Sequence, residues 1–224
     1  MPSLKFQTIH DINSQHRRNC GSVFVFEDDD SLRQSLEALL LSEGYHVACA
    51  PSPDESKEYA ALHDTQINTP AVILCDVVLQ FSSGLRVLTE RPADIPVIMM
   101  SGNSTELEVV RAYDQGAYRF LLKPLDIDDL LNTVKNALST HRELLALRVE
   151  QSEVAERFSK LTPRELDVIK LVSQGYRNAE IGDRLEIALR TVKLHKQHAL
   201  EKLDYPTLPK LIYWTNMLEP RPTA

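Results

Sequence analysis

Ser22-Val-Phe-Val-Phe-Glu-Asp-Asp-Asp30 decides how the chain is read, because an apolar run ends abruptly in four consecutive acids. A short run without polar alternation reads as a strand buried on both faces, as in a parallel sheet covered by helices. Two further runs have the same character, Ala71-Val-Ile-Leu-Cys75 and Pro96-Val-Ile-Met-Met100. Tyr45 to Ala50 and Tyr118-Arg-Phe-Leu-Leu122 supply two more strands. Between them, Ser31 to Ser42, Asp54 to His63, Gly84 to Thr89, Thr105 to Gly116 and the stretch from Ile127 onward have helical spacing. Five strand–helix units predict an α/β fold, a doubly wound five-stranded parallel sheet. Such a sheet gathers functional groups at the carboxyl ends of its strands.

Outward from this core the chain changes character. Residues 1–19 are polar and aperiodic and read as an N-terminal extension without the apolar stretch of a secretory signal. From Asp126 to Phe158 the periodicity of Leu130, Val134, Leu138, Leu144 and Leu147 continues with no Gly or Pro. This predicts the last helix of the first domain running into a helical linker. Thr162-Pro163-Arg164-Glu165 is a capping box with proline at the first helical position, so an all-α domain starts near Leu161. The expected divisions are 1–19, 20–141, 142–158 and 159–224.

The 224 residues are 43% hydrophobic and 25% charged, the composition of a soluble globular protein. No apolar run approaches the ~20 residues of a membrane span. Cys20, Cys49 and Cys75 lack metal-like spacing and read as reduced thiols, which makes a cytoplasmic chain the expectation. The net charge of −7 is unevenly spread: residues 159–224 carry +3 and residues 1–158 carry −10. Contact with nucleic acid is therefore expected from the back domain.

Glu27-Asp28-Asp29, Asp76 and Lys123 all follow predicted strands and so fall on one sheet edge, with Ser101 after the fourth strand. Singly, acids at strand ends read as solvated loop residues. Together they repel one another unless a hard cation with oxygen ligands, such as Mg²⁺, sits among them.

Val25-Phe-Glu-Asp-Asp29, Leu74-Cys-Asp76, Met100-Ser-Gly102 and Phe120-Leu-Leu-Lys-Pro124 resemble the receiver domains of two-component systems, over roughly Gly21 to Arg142. The resemblance implies that Asp76 accepts a phosphoryl group from a sensor histidine kinase. It implies that Glu27, Asp28, Asp76 and the carbonyl of Val78 hold Mg²⁺. It makes Ser101 and Phe120 the switch pair, and Lys123 the lysine before a cis proline. Phosphorylation then reshapes the strand-four and strand-five face, the family's usual dimerisation surface. Two positions depart from the pattern: Gln80 stands where a proline is common, and Glu27 where aspartate is common.

In the back domain, Leu161 to Val172, Gly175, Asn178-Ala-Glu-Ile181, Leu185, Thr191-Val-Lys-Leu-His195 and Lys202-Leu203 resemble a LuxR-type helix-turn-helix. The two domains in this order resemble the NarL/FixJ class of response regulators. Helices are expected at Pro163 to Gln174, Asn178 to Leu185, Leu189 to Leu203 and Thr207 to Leu218. On the third, Val192, His195, Ala199 and Leu203 form the expected core stripe. Lys193, Gln197 and Leu200 are expected opposite it, flanked by Arg190, Leu194 and Lys196. Lys193 and Gln197 suit base edges, while Arg190, Thr191 and Lys196 suit phosphates. Ala188 lacks the usual capping hydroxyl, and Asp204 replaces a common glycine.

The expected function is a phosphorylation-regulated, DNA-binding transcriptional regulator that dimerises when phosphorylated, and not an enzyme. One alternative is a regulator of the same build working without phosphorylation. An alternative of another class is a phosphatase-like enzyme using an aspartyl phosphate. Its usual second aspartate would stand at Val78, which offers no acid or base.

Overall fold

The computed structural model describes residues 21–64, 68–80, 82–92, 94–102 and 105–218. The extension expected over 1–19 and Cys20 lie outside the described residues. The chain forms two compact units, divided between Leu145 and Ala146.

In the first unit the strands are β1 (Ser22–Phe26), β2 (His46–Ala50), β3 (Ala71–Asp76), β4 (Val97–Ser101) and β5 (Arg119–Leu122). All pair in parallel, in the order β2-β1-β3-β4-β5. The helices between them are α1 (Asp30–Ser42), α2 (Lys57–Asp64), α3 (Arg86–Glu90) and α4 (Glu106–Asp114). A short 3₁₀ turn, Pro53–Glu55, precedes α2. The unbroken apolar runs are explained by two separate core layers. Alternate residues Phe24, Phe26, Ile73, Cys75, Val97 and Met99 face one layer; Val23, Val25, Val72, Leu74, Ile98 and Met100 face the other. A sheet packed on both faces has no position for alternating polar residues.

Helix α5 runs from Ile127 to Ser159. Its first part buries Leu130, Val134, Ala137 and Leu138 in the first unit, and buried His141 accepts a hydrogen bond at Nδ1 from the Ala71 N–H, 2.8 Å. The helical linker expected over 142–158 is the continuation of this same helix. Val154 and Phe158 belong to the core of the second unit, together with Val168, Ile169, Val192, Leu203, Leu211 and Trp214. A helix without glycine or proline carries no local mark of where one core ends and another begins.

The second unit adds α6 (Pro163–Ser173), α7 (Asn178–Leu185), α8 (Leu189–Lys202) and α9 (Leu208–Leu218). The predicted capping box at Thr162 and Glu165 is formed. Trp214 lies under the Arg157 guanidinium and the Lys210 ammonium, 5.5 and 4.9 Å from the ring centre. The Tyr213 hydroxyl donates to Glu150, 3.0 Å. Residues 146–158 are thereby integral to this unit.

Phe158→Ala should therefore destabilise the second unit by about 3–5 kcal/mol, the usual range for truncating a buried phenylalanine. Trp214 is the only tryptophan and lies in the same core, so its fluorescence reports this unit's unfolding. An unchanged denaturant midpoint by that probe would show that residues 146–158 contribute nothing.

Candidate functional site

The acids expected at the strand ends do meet. Ligating oxygens of Glu27, Asp28 and Asp76 all lie within 4.8 Å of one another. Glu27 is only 1% exposed, at the end of β1, and Asp76 closes β3. Lys123 follows β5 and reaches between them. Its ammonium donates to Glu27 Oε2 at 2.8 Å and also to Asp76 Oδ2. The second Asp76 oxygen, Oδ1, accepts from the Val78 N–H at 2.9 Å. The Lys123–Pro124 peptide is cis.

Burial drives the Glu27 carboxyl above its ordinary value of 4.5; the Lys123 contact pulls down and the Asp76 charge pushes up, with a net rise. Burial alone would lower the Lys123 ammonium, but its bonds to Asp76 and Glu27 outweigh that and raise it. The site thus concentrates negative charge against a single bridging ammonium. Donor oxygens around octahedral Mg²⁺ at ~2.1 Å lie about 3–4 Å apart, and three carboxylate oxygens gathered within 4.8 Å of one another can converge on one such ion. The donor set fits a hard divalent cation.

Ser101 is buried at the end of β4, and its carbonyl accepts from the Lys123 N–H at 2.8 Å. Phe120 is partly buried and packs against the first core layer. Val78 is 65% exposed and opens a small hairpin in which Val78–Leu79 pairs antiparallel with Ser82–Ser83. Gln80, which stands where a proline is common, lies in the turn after Val78–Leu79.

Gly84, expected to open a helix, lies in the turn before α3 and has a role that the sequence did not announce. A Cβ on Gly84 would sit 1.8 Å from the Asp76 carbonyl oxygen and 2.9 Å from Cys75 Sγ. The Gly84 N–H donates to the Val77 carbonyl, 2.9 Å. Glycine therefore lets the returning strand lie directly against the backbone of Asp76. A glycine after an acidic strand end is a weak signal, and only the close approach reveals its role.

The basic unit presents a second candidate surface. Helix α7 ends at Glu186 in a left-handed conformation, and α8 starts after Ala188, which gives no side-chain cap. Gly182 is buried, and a Cβ there would meet the Ile187 carbonyl at 2.9 Å, so this glycine permits the tight turn between the helices. On α8, Val192, Ala199 and Leu203 are fully buried. Arg190, Lys193, Leu194 and Gln197 are exposed, whereas Thr191 and Lys196 are half-buried.

Two expectations about this helix change. His195 is half-buried at the margin of the stripe rather than within it. Leu200 does not lie opposite the stripe but packs against the second unit's core. At 100° per residue, eight positions carry Leu200 only about 80° around from Val192. Lys196 and Leu200 share a groove of about 310 Å³ with Tyr176, Pro206 and Leu208. Gln197 donates to Glu201 at 2.9 Å.

Glu165, expected as the acid of the capping box, is buried and has a further partner that the sequence did not announce. It accepts from Lys202 at the end of α8, 2.6 Å, and from the Thr162 N–H, 2.8 Å, tying the exposed helix to α6. Asp204 takes the left-handed conformation expected of a glycine substitute, φ 60°, and Tyr205 follows it at φ 46°.

Comparisons with known proteins divide the chain similarly. Residues 23–135 match the response regulator receiver domain, and residues 159–215 match the luxR family of bacterial regulatory proteins. Nodulation protein W of Bradyrhizobium diazoefficiens is 33% identical, over 88% of this chain and 86% of its own. The transcriptional regulatory protein FixJ of Azorhizobium caulinodans is 32% identical, over 85% and 89%. The solved structure of the response regulator StyR is similar with a TM-score of 0.68 at 28% identity, covering 87% of this chain and 98% of that one.

Proposed function

Because the chain belongs to the response regulators that join a receiver domain to a LuxR-type DNA-binding domain, we propose that phosphorylation of Asp76 by a sensor histidine kinase controls its dimerisation and its binding to double-stranded DNA. The observation carrying this reading is the grouping of Glu27, Asp28 and Asp76 around the Lys123 ammonium.

The chain's own groups supply most of what phosphoryl transfer needs. Asp76 is the nucleophile: a carboxylate oxygen bonds to phosphorus as the P–N bond to the kinase's phosphohistidine breaks and its imidazole leaves. The Val78 N–H holds the other oxygen and fixes the carboxylate plane. Lys123 binds a developing phosphoryl oxygen while keeping Glu27 in place. Glu27, Asp28, Asp76 and the Val78 carbonyl would hold Mg²⁺, which when bound disperses negative charge on the transferring group.

Ser101 ends β4 and Lys123 directly follows β5, so drawing them toward a phosphoryl group shifts both strands. Phe120 then repacks within its partly buried site. The neighbouring surface exposes Leu107 and Val110 on α4, Leu122 on β5 and Ile127 on α5. An apolar set of this kind on a monomer supports pairing with a second copy. Leu122 is adjacent to Lys123, which links the acceptor site to that surface through the chain itself.

Pairing would present two α8 helices to two half-sites of DNA. Lys193 and Gln197 would read base edges in the major groove, and Leu194 would make apolar contact there. Arg190, Thr191 and Lys196 would grip phosphates. No described helix is long and apolar enough to cross a membrane, which accords with a cytoplasmic regulator.

A footprint on genomic DNA with and without beryllofluoride and Mg²⁺ tests the reading. Protection of paired half-sites should strengthen when both are added, and Lys193→Ala should lose about 1–3 kcal/mol at a specific site. Protection indifferent to the phosphoryl mimic would favour a regulator that works without phosphorylation.

A further inference from the structure

Arg33 is a cation beside the acidic loop with no part in the scheme above. It lies in the first turns of α1, and its side chain is only 16% exposed. Nη1 donates to the Glu27 carbonyl at 2.7 Å and, more loosely, to the Asp28 carbonyl at 3.4 Å. Nη2 pairs with the Asp30 carboxylate. The guanidinium therefore engages two of the three residues between β1 and the helix, Glu27 and Asp28, together with Asp30, the first residue of the helix.

The remaining bonds of this loop are equally specific. The Glu27 N–H donates to Ala50 of β2 at 3.2 Å. Asp29 caps α1, accepting from the Leu32 N–H at 2.9 Å, and its own N–H donates to Glu27 Oε1 at 3.3 Å. The side chains of Glu27 and Asp28 are thus left to point at Asp76, while their carbonyls are held from behind by Arg33.

We propose that Arg33 is a positioning residue for the divalent cation, clamping the backbone of Glu27 and Asp28 so that their carboxylates meet the metal without rearrangement. The proposal rests on the reading of this cluster as a Mg²⁺ site. It is distinct from that reading because Arg33 touches no carboxylate of the cluster. Lysine is a poor substitute, since one ammonium on a flexible stem does not reproduce a planar fork bonded to three acceptors.

Charge and position predict opposite signs. If Arg33 were only a counter-charge to the acids, its removal would make the cluster more negative and tighten cation binding. If it positions the loop, removal loosens binding in spite of that gain. Outer partners that orient metal ligands typically contribute about 10–100-fold in affinity.

The test uses the full chain with Mn²⁺ as probe, free Mn²⁺ being read by its paramagnetic resonance signal and Mg²⁺ by competition. Arg33→Ala and Arg33→Lys are compared with the wild type, and receiver folding is followed by circular dichroism. Both variants are expected to bind Mn²⁺ and Mg²⁺ about 10-fold more weakly. Arg33→Lys is decisive, because it keeps the charge and the helix: weaker binding by a folded Arg33→Lys chain supports the clamp. Unchanged or tighter binding in that variant overturns it. A wild type that binds neither cation refutes the Mg²⁺ reading itself and the clamp with it.

Discussion

An Asp76→Asn chain should take up no label from acetyl phosphate under conditions that label the wild type. The amide has no anionic oxygen with which to attack phosphorus, and no neighbouring group replaces it. Glu27 is buried against Lys123, Asp28 lies across the cluster, and Val78 is apolar. The fold should survive. Lys123 keeps Glu27 as its partner, and removing one of three crowded carboxylates relieves repulsion. The melting transition of the first unit is therefore expected to stay in place or rise. With the acceptor gone, the DNA footprint should no longer respond to phosphodonor. Wild-type labelling of the Asn variant would mean that the phosphoryl group is taken up elsewhere.

Gly84→Ala should be the most damaging single methyl group in the receiver. Its Cβ would lie 1.8 Å from the Asp76 carbonyl oxygen, far inside van der Waals contact. A flexible side chain would swing aside, but the obstacle here is the backbone of the acceptor residue. Either Asp76 moves or the segment 82–84 does. Overpacking a core usually costs about 1–3 kcal/mol, and a backbone clash belongs at or above the top of that range. Displacing the Asp76 backbone also breaks the bond from the Gly84 N–H to Val77 and carries the carboxylate away from Lys123. Phosphoryl uptake and stability should fall together. The pairing is measurable by denaturant titration of circular dichroism beside labelling. Full uptake at wild-type stability would show that the loop accommodates a side chain after all.

These two residues also mark the limit of what the amino-acid order discloses. Asp76 was legible because a parallel sheet carries all its strand ends to one edge. Once the five runs are recognised, the meeting of Glu27, Asp28, Asp76 and Lys123 follows from topology, with Ser101 at the neighbouring strand end. Gly84 was not legible, since its significance is a distance between two backbones that no local pattern encodes. The same holds for Arg33, an ordinary helical arginine until its reach to two carbonyls is seen. In the basic unit the periodicity identified Val192, Ala199 and Leu203, but Leu200 was misplaced. It stands near the edge of the stripe, in a groove lined also by Pro206 and Leu208. The division between the units lay within one uninterrupted helix, where helical periodicity alone cannot say which core a buried residue serves.

The bridging Lys123 has a consequence for how the protein comes into being. Its partners lie 96 and 47 positions earlier in the chain. β1, β3 and the turn after β5 must all be in register before the three groups can meet, and long-range closures of this kind are completed late. A nascent chain emerging from the ribosome therefore has its acids in hand well before it has a receptive site. On the proposed function, a phosphoryl group can be accepted only after residue 123 has emerged and docked, late in the making of the first unit.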